Sequence, residues 1–99
     1  FNLGMVYKDQ KKWNDAATAF AEAVKFDSGN ATYHYELASA YQEAGRFESA
    51  RPEFDATLKL DNRLYKAHFR LATVLQSLEK FSEDDRKFVR DWLKAAKAK

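Results

Sequence analysis

Large apolar residues recur along this chain at a fixed offset of 34 positions, separated by mostly polar stretches. Leu3, Leu37 and Leu71 share one column, Trp13, Phe47 and Phe81 a second, and Phe20, Phe54 and Phe88 a third. Phe1, Tyr35 and Phe69 form a fourth. Tyr7 and Tyr41 are followed by Leu75, Ala16 and Ala50 by Asp84, and His34 by His68. Within each unit the apolar positions follow helical spacing in two successive stretches, so the period predicts a pair of helices joined by short turns. In the middle unit the first helix is predicted from about Ala31 to Ala44. Its inner stripe is Leu37, Ala38, Tyr41 and Ala44, with Tyr33 and His34 one turn earlier. Gly45 supplies the permissive backbone that ends it. The second helix is predicted from about Glu48 to Leu60, carrying Ala50, Phe54, Leu58 and Leu60, and Asp61-Asn62 breaks it. In the first unit Asn14 or Asp15 opens the corresponding helix, Ala16, Phe20, Ala23 and Val24 face inward, and Asp27-Ser28-Gly29-Asn30 closes it. Pro52 falls a few residues into a predicted helix, where its missing N–H predicts a later start or a slight bend, not a break.

The segments Phe1-Asn2-Leu3-Gly4-x-x-Tyr7 with Ala16-x-x-x-Phe20, and Leu37-Ala38-x-x-Tyr41 with Ala50-x-x-x-Phe54, resemble the signature of the tetratricopeptide repeat, a helix-turn-helix of 34 residues. The resemblance covers nearly the whole chain. It implies an all-α fold, an α-solenoid built as a right-handed stack of antiparallel helix pairs with about three repeats. Residues 1–30 form a truncated first repeat, 31–64 a complete second, and 65–99 a third that ends in a capping helix, all within one structural domain. The early Trp of the repeat pattern is replaced by His34 and His68, and its closing Pro by Ser28 and Asn62. Gly4, Ala38 and Ala72 let paired helices approach closely, with Ala16 and Ala50 opposite, while the Phe20 column fills the wider part of each pair.

The third unit changes character after Glu79. Ser82 reads as an N-cap, and Glu83-Asp84-Asp85 place acids over the positive end of the helix dipole. Phe88, Val89, Trp92, Leu93 and Ala96 make one stripe, and Lys94, Lys97 and Lys99 sit at the negative end. Asp84 and Asp91 stand at small-residue positions where earlier units have Ala16, Ala50 and Ala23, and a carboxylate in a tight helix contact is costly to desolvate. This helix is therefore expected to close the stack. At the other end the first helix begins mid-pattern and the chain opens without Met, so the expectation is a fragment of a longer protein whose earlier repeats, or a partner chain, cover that helix.

Composition narrows the function. The 99 residues are 45% apolar and 32% charged, enough for one small domain. Three glycines and one proline argue against a many-stranded β-fold. Apolar runs are too short to span a bilayer, so no membrane insertion is expected. Absence of cysteine excludes disulfides, thiolate metal sites and a thiol nucleophile. A net charge of +2 is too balanced to imply nucleic acid. The basic residues Arg86, Lys87, Arg90, Lys94, Lys97 and Lys99 spread around the helix, with Glu83, Asp84, Asp85 and Asp91 among them, as on a solvated face.

No constellation carries catalysis or a cofactor. His34 and His68 hold equivalent places in neighbouring units, roughly 10 Å apart by helix packing, too far to share an ion, and are read as packing residues in an aromatic column. Glu83-Asp84-Asp85 is explained by capping. Asp27-Ser28-Gly29-Asn30 lacks the alternating ligands and closing Glu of a calcium loop. Asn30-Ala31-Thr32 is a formal glycosylation sequon, and Asn30 is equally a helix N-cap. The chain is expected not to be an enzyme and to hold no metal.

The resemblance also implies a concave groove lined by the first helix of each pair. Its positions here are Phe1, Met5 and Lys8 from the first unit, with Asn2 and Asp9 beside them. The second unit gives Tyr35, Glu36, Ser39 and Gln42, flanked by Thr32 and Glu43. The third gives Lys66, Phe69, Arg70 and Thr73, with Gln76 beyond. Phe1, Tyr35 and Phe69 are expected to form an aromatic ladder along it. Some members of the family clamp a C-terminal carboxylate with Lys and Asn side chains. Lys66 and Arg70 match two of those positions, but Phe1, Met5 and Glu36 replace the others, so the clamp is not expected. The function read from these features is non-catalytic protein–protein interaction, with a peptide or a partner's helix held in the groove. A second reading is self-assembly into a homo-oligomer through the uncovered first helix, and a third is a nucleic-acid adaptor.

Overall fold

The computed structural model describes residues 1–81, with side chains to Leu78, together with Lys94. Residues 1–81 hold five helices in order: α1 (Asn2–Asp9), α2 (Trp13–Phe26), α3 (Ala31–Glu43), α4 (Phe47–Leu60) and α5 (Tyr65–Phe81). Each packs against the next, and α3 also meets α5, so alternate helices lie side by side in a stack of antiparallel pairs. No strand occurs among the described residues. The cap expected at Ser82–Asp85 and the stripe from Phe88 to Ala96 lie outside them.

Local chemistry sets the helix ends. Asn30 has extended backbone angles, and its Oδ1 accepts a hydrogen bond from the Tyr33 N–H at 3.2 Å, capping α3. α3 ends at Glu43, and Gly45 follows at φ 79°, in the left-handed region. The Arg46 N–H donates to the Tyr41 carbonyl at 2.8 Å and the Gly45 N–H to Gln42 at 3.0 Å. These paired bonds satisfy carbonyls that the last turn leaves without helical donors. One period earlier the same turn recurs with a different residue. Lys11 sits at φ 58°, the Lys12 N–H donates to the Tyr7 carbonyl at 2.9 Å, and the Lys11 N–H to Lys8 at 2.9 Å. A lysine in that region costs about 1–2 kcal/mol relative to glycine.

Two sequence expectations need correction. α2 opens at Trp13 after Lys12, with no side-chain cap, one residue before Asn14. α4 opens at Phe47, one residue ahead of the expected Glu48 and without the later start that Pro52 suggested; it runs through Pro52 unbroken, as expected. Proline removes the donor for the Glu48 carbonyl, and both residues are exposed, so that carbonyl lies on the solvent side of the helix.

The core forms two adjoining clusters. Ala16, Ala17, Phe20, Leu37 and Ala40 join α2 to α3, with Phe1, Met5 and Tyr7 of α1 packed against them. Ala38, Ala50, Phe54, Ala67 and Val74 join α3, α4 and α5. Gly4 lies under the Phe20 ring so closely that a Cβ there would stand 2.6 Å from ring carbons. The Leu column is not uniformly buried: Leu37 is 2% exposed but Leu3 is 58% exposed. Leu37 faces α2, whereas no described helix covers the corresponding side of α1.

Candidate partner-binding groove

Alternate helices α1, α3 and α5 share one face of the stack, which carries a trough of about 800 Å³. Lys8 enters it from α1, Tyr35, Glu36, Gln42 and Glu43 from α3, and Tyr65, Lys66, Phe69, Arg70 and Thr73 from α5. On α5 these residues recur at three- and four-residue spacing, and on α3 Tyr35 and Gln42, like Glu36 and Glu43, lie two helical turns apart, which keeps each set on one side of its helix.

Charges in the trough are largely matched within it. Lys8 Nζ lies 3.0 Å from Glu36 Oε2 across the α1–α3 gap. Arg70 bridges α5 to α3: its Nε donates to the Tyr35 hydroxyl at 3.1 Å, its Nη1 to Gln42 Oε1 at 3.0 Å, and Glu43 Oε1 stands 3.5 Å from Nη1. Arg70 is thus a strut between α5 and α3, engaged through Nε and Nη1. Lys66 is exposed and has no ion-pair partner among the described residues.

Of the groove residues expected from sequence, Lys8, Tyr35, Glu36, Gln42, Lys66, Phe69, Arg70 and Thr73 line this trough. Phe1, Met5 and Ser39 do not. Phe1 stacks on Tyr33 with ring centroids 4.7 Å apart and tilts against Phe20 at 5.6 Å. Met5 packs on the α2–α3 core cluster. Ser39 is buried, and its Oγ has no hydrogen-bond partner among the described residues. The aromatic ladder is therefore not continuous. Phe1 turns toward α2, and Tyr35 is half-buried with its ring edge-on to Phe54 at 6.1 Å. Phe69 instead pairs by position with Tyr65, one helical turn before it on α5; they are 74% and 82% exposed. Tyr65 was readable only as an aromatic four residues before Phe69, outside the repeat column.

His34 departs from its expected role as an aromatic packing residue. Its residue is 8% exposed, yet both ring nitrogens are engaged: Nδ1 is 2.6 Å from Glu53 Oε2 on α4, and Nε2 is 2.7 Å from the Ser28 carbonyl in the α2–α3 turn. Burial lowers the ring's pKa, but the hydrogen bond to Glu53, the Ser28 carbonyl and the Glu53 charge together outweigh it and raise the ring above its ordinary 6.5. The described residues contain no group of three His, Cys, Asp or Glu side chains that could hold a metal ion.

The tetratricopeptide repeat family model matches residues 1–63 and again residues 35–98, the second match beginning one period after the first. With the helices of the described residues stacked in antiparallel pairs, the chain belongs to the tetratricopeptide repeat family. A comparison with curated proteins gave no match. Tetratricopeptide repeats generally mediate protein–protein interaction, and the fold is generally a non-catalytic scaffold. No helix among the described residues is long and apolar enough to cross a membrane.

Proposed function

We propose that this chain is a non-catalytic interaction module that holds a peptide or a partner's helix in the trough between α3 and α5. The observation that carries this reading is the pair Tyr65 and Phe69, 82% and 74% exposed on one face of α5 beside the trough. Large aromatic side chains left in water offer contact area with few rotors to immobilise, which suits a binding surface. Lys66, exposed between them in sequence, adds a free cation at the edge, while Arg70 is held by its three α3 partners. The paired charges on the trough wall keep its shape without committing it to an acidic or a basic ligand.

Displayed peptides selected on the 99-residue chain supply ligands for the test. Replacing both Tyr65 and Phe69 with Ala should weaken their binding by roughly tenfold or more, since one good aromatic anchor is worth about 1–2 kcal/mol. Helicity should stay unchanged, because both rings are exposed. Undiminished binding in a folded double variant would rule out the trough.

The second reading, self-assembly, is favoured by Leu3 and Val6, which are 58% and 50% exposed on α1. A second copy covering that face would bury them. Sedimentation at high micromolar concentration separates the readings: a monomer there counts against assembly, and a dimer abolished by Leu3→Lys with Val6→Lys supports it.

A further inference from the structure

We propose that His34, Glu53 and the Ser28 carbonyl form a proton-operated clasp that ties the α2–α3 turn to α4, closed when the imidazole carries two protons and loosened when it carries one. The geometry makes the case. A neutral imidazole has one N–H donor and one lone pair. Here both nitrogens face oxygens that accept: a backbone carbonyl at 2.7 Å and a carboxylate oxygen at 2.6 Å. Only the doubly protonated ring donates to both. A neutral ring can keep one link; at the other nitrogen its lone pair opposes an oxygen lone pair inside a partly buried contact.

The groups around the ring set the sign. From α4 the facing charge is Glu53, and it is the charge that acts on the ring. From the turn comes the neutral Ser28 carbonyl; Asp27, next to it, meets the Asn30 amide at 3.5 Å. At the end of α2, Lys25 pairs with Glu22 at 3.7 Å on the surface. On α3, Glu36 is paired with Lys8. Because the folded ring holds its proton more tightly than the unfolded one, the contribution to stability is complete below pH 6.5 and is lost as pH rises through the higher folded value. The folding equilibrium constant falls across that window by the same factor as the ring's proton affinity is raised.

His68 provides an internal comparison. It lies one period later, and its Nε2 meets the Asn62 carbonyl at 3.1 Å, repeating the link to the preceding turn. Its ring is on an exposed residue and has no carboxylate partner among the described residues; in sequence the residue one period after Glu53 is Lys87. The clasp is therefore complete in the middle repeat alone among the described residues.

Ring-nitrogen NMR of the 99-residue chain through a pH titration tests this, together with urea unfolding at pH 5.5 and 8.5. The expected result is a His34 ring that stays doubly protonated above pH 6.5, with the unfolding midpoint lower at the alkaline end. Glu53→Gln should bring the His34 titration down and flatten the pH dependence of unfolding. A wild-type His34 titrating at or below 6.5, or one unmoved by Glu53→Gln, overturns the clasp. Should the variant not fold, the wild-type titration decides alone.

Discussion

Truncating Phe54 to Ala probes the joint that holds the second and third helix pairs together. The ring is fully buried, with its edge partner Tyr35 at 6.1 Å and Ala38, Ala50 and Ala67 around it. Those alanines have no rotamers with which to fill a void, and the helices carrying them are held by their own backbone bonds. The hole should therefore persist, which puts the loss in the usual range of about 3–5 kcal/mol for a buried phenylalanine. A domain of this size has only about 5–15 kcal/mol in total. At roughly 4–8 °C of melting temperature per kcal/mol, the midpoint should fall by about 12–40 °C. Circular dichroism through heat and urea titrations reads the change, and Phe26→Ala is the control, because Phe26 is 92% exposed and its removal should cost no more than about 0.5 kcal/mol. A Phe54→Ala protein within about 1 kcal/mol of wild type, or a Phe26→Ala protein equally damaged, would refute the packing argument.

The two equivalent left-handed turns make opposite predictions. Gly45→Ala at φ 79° should cost about 1–2 kcal/mol although nothing lies within 4 Å of the new methyl, and Lys11→Gly at φ 58° should gain up to about 1 kcal/mol, the relieved strain less the extra freedom glycine gives the unfolded chain; urea unfolding of both distinguishes backbone strain from contact. Asn30→Ala should lose about 1 kcal/mol through the missing bond to the Tyr33 N–H, with faster amide exchange in the first turn of α3.

Much of this architecture could be read along the chain. An offset of 34 placed α3 and α4 within a residue or two of their ends, because a helix that must bury one stripe repeats its apolar residues at fixed spacing. Gly45 and Asn30 were legible for a similar reason: each acts on its own backbone turn. Lys11 was not, since lysine carries no signal for a left-handed turn, and only its place one period before Gly45 hints at it. The apolar spacing placed the start of α4 ahead of Pro52, whereas the proline alone pointed to a later one; its lost bond falls on an exposed side, where packing of Ala50 and Phe54 overrides it.

The groove shows where linear pattern stops. Repeat position assigned Phe1, Met5 and Ser39 to the same face as Lys8 and Gln42, yet a side chain follows its nearest partner, not its column. Phe1 found Tyr33 and Phe20, and Met5 found the α2–α3 core. His34 stood in an aromatic column, and nothing local showed that Glu53, 19 residues away, would reach its ring. Sequence alone determined the repeat, the helices and the family, because these depend on spacing within a turn or a period. Tertiary structure decided which apolar residues stay in water, how Arg70 and Lys8 neutralise the trough, and that a histidine became a polar tie, because each of these depends on what a neighbouring helix brings to within a few ångströms.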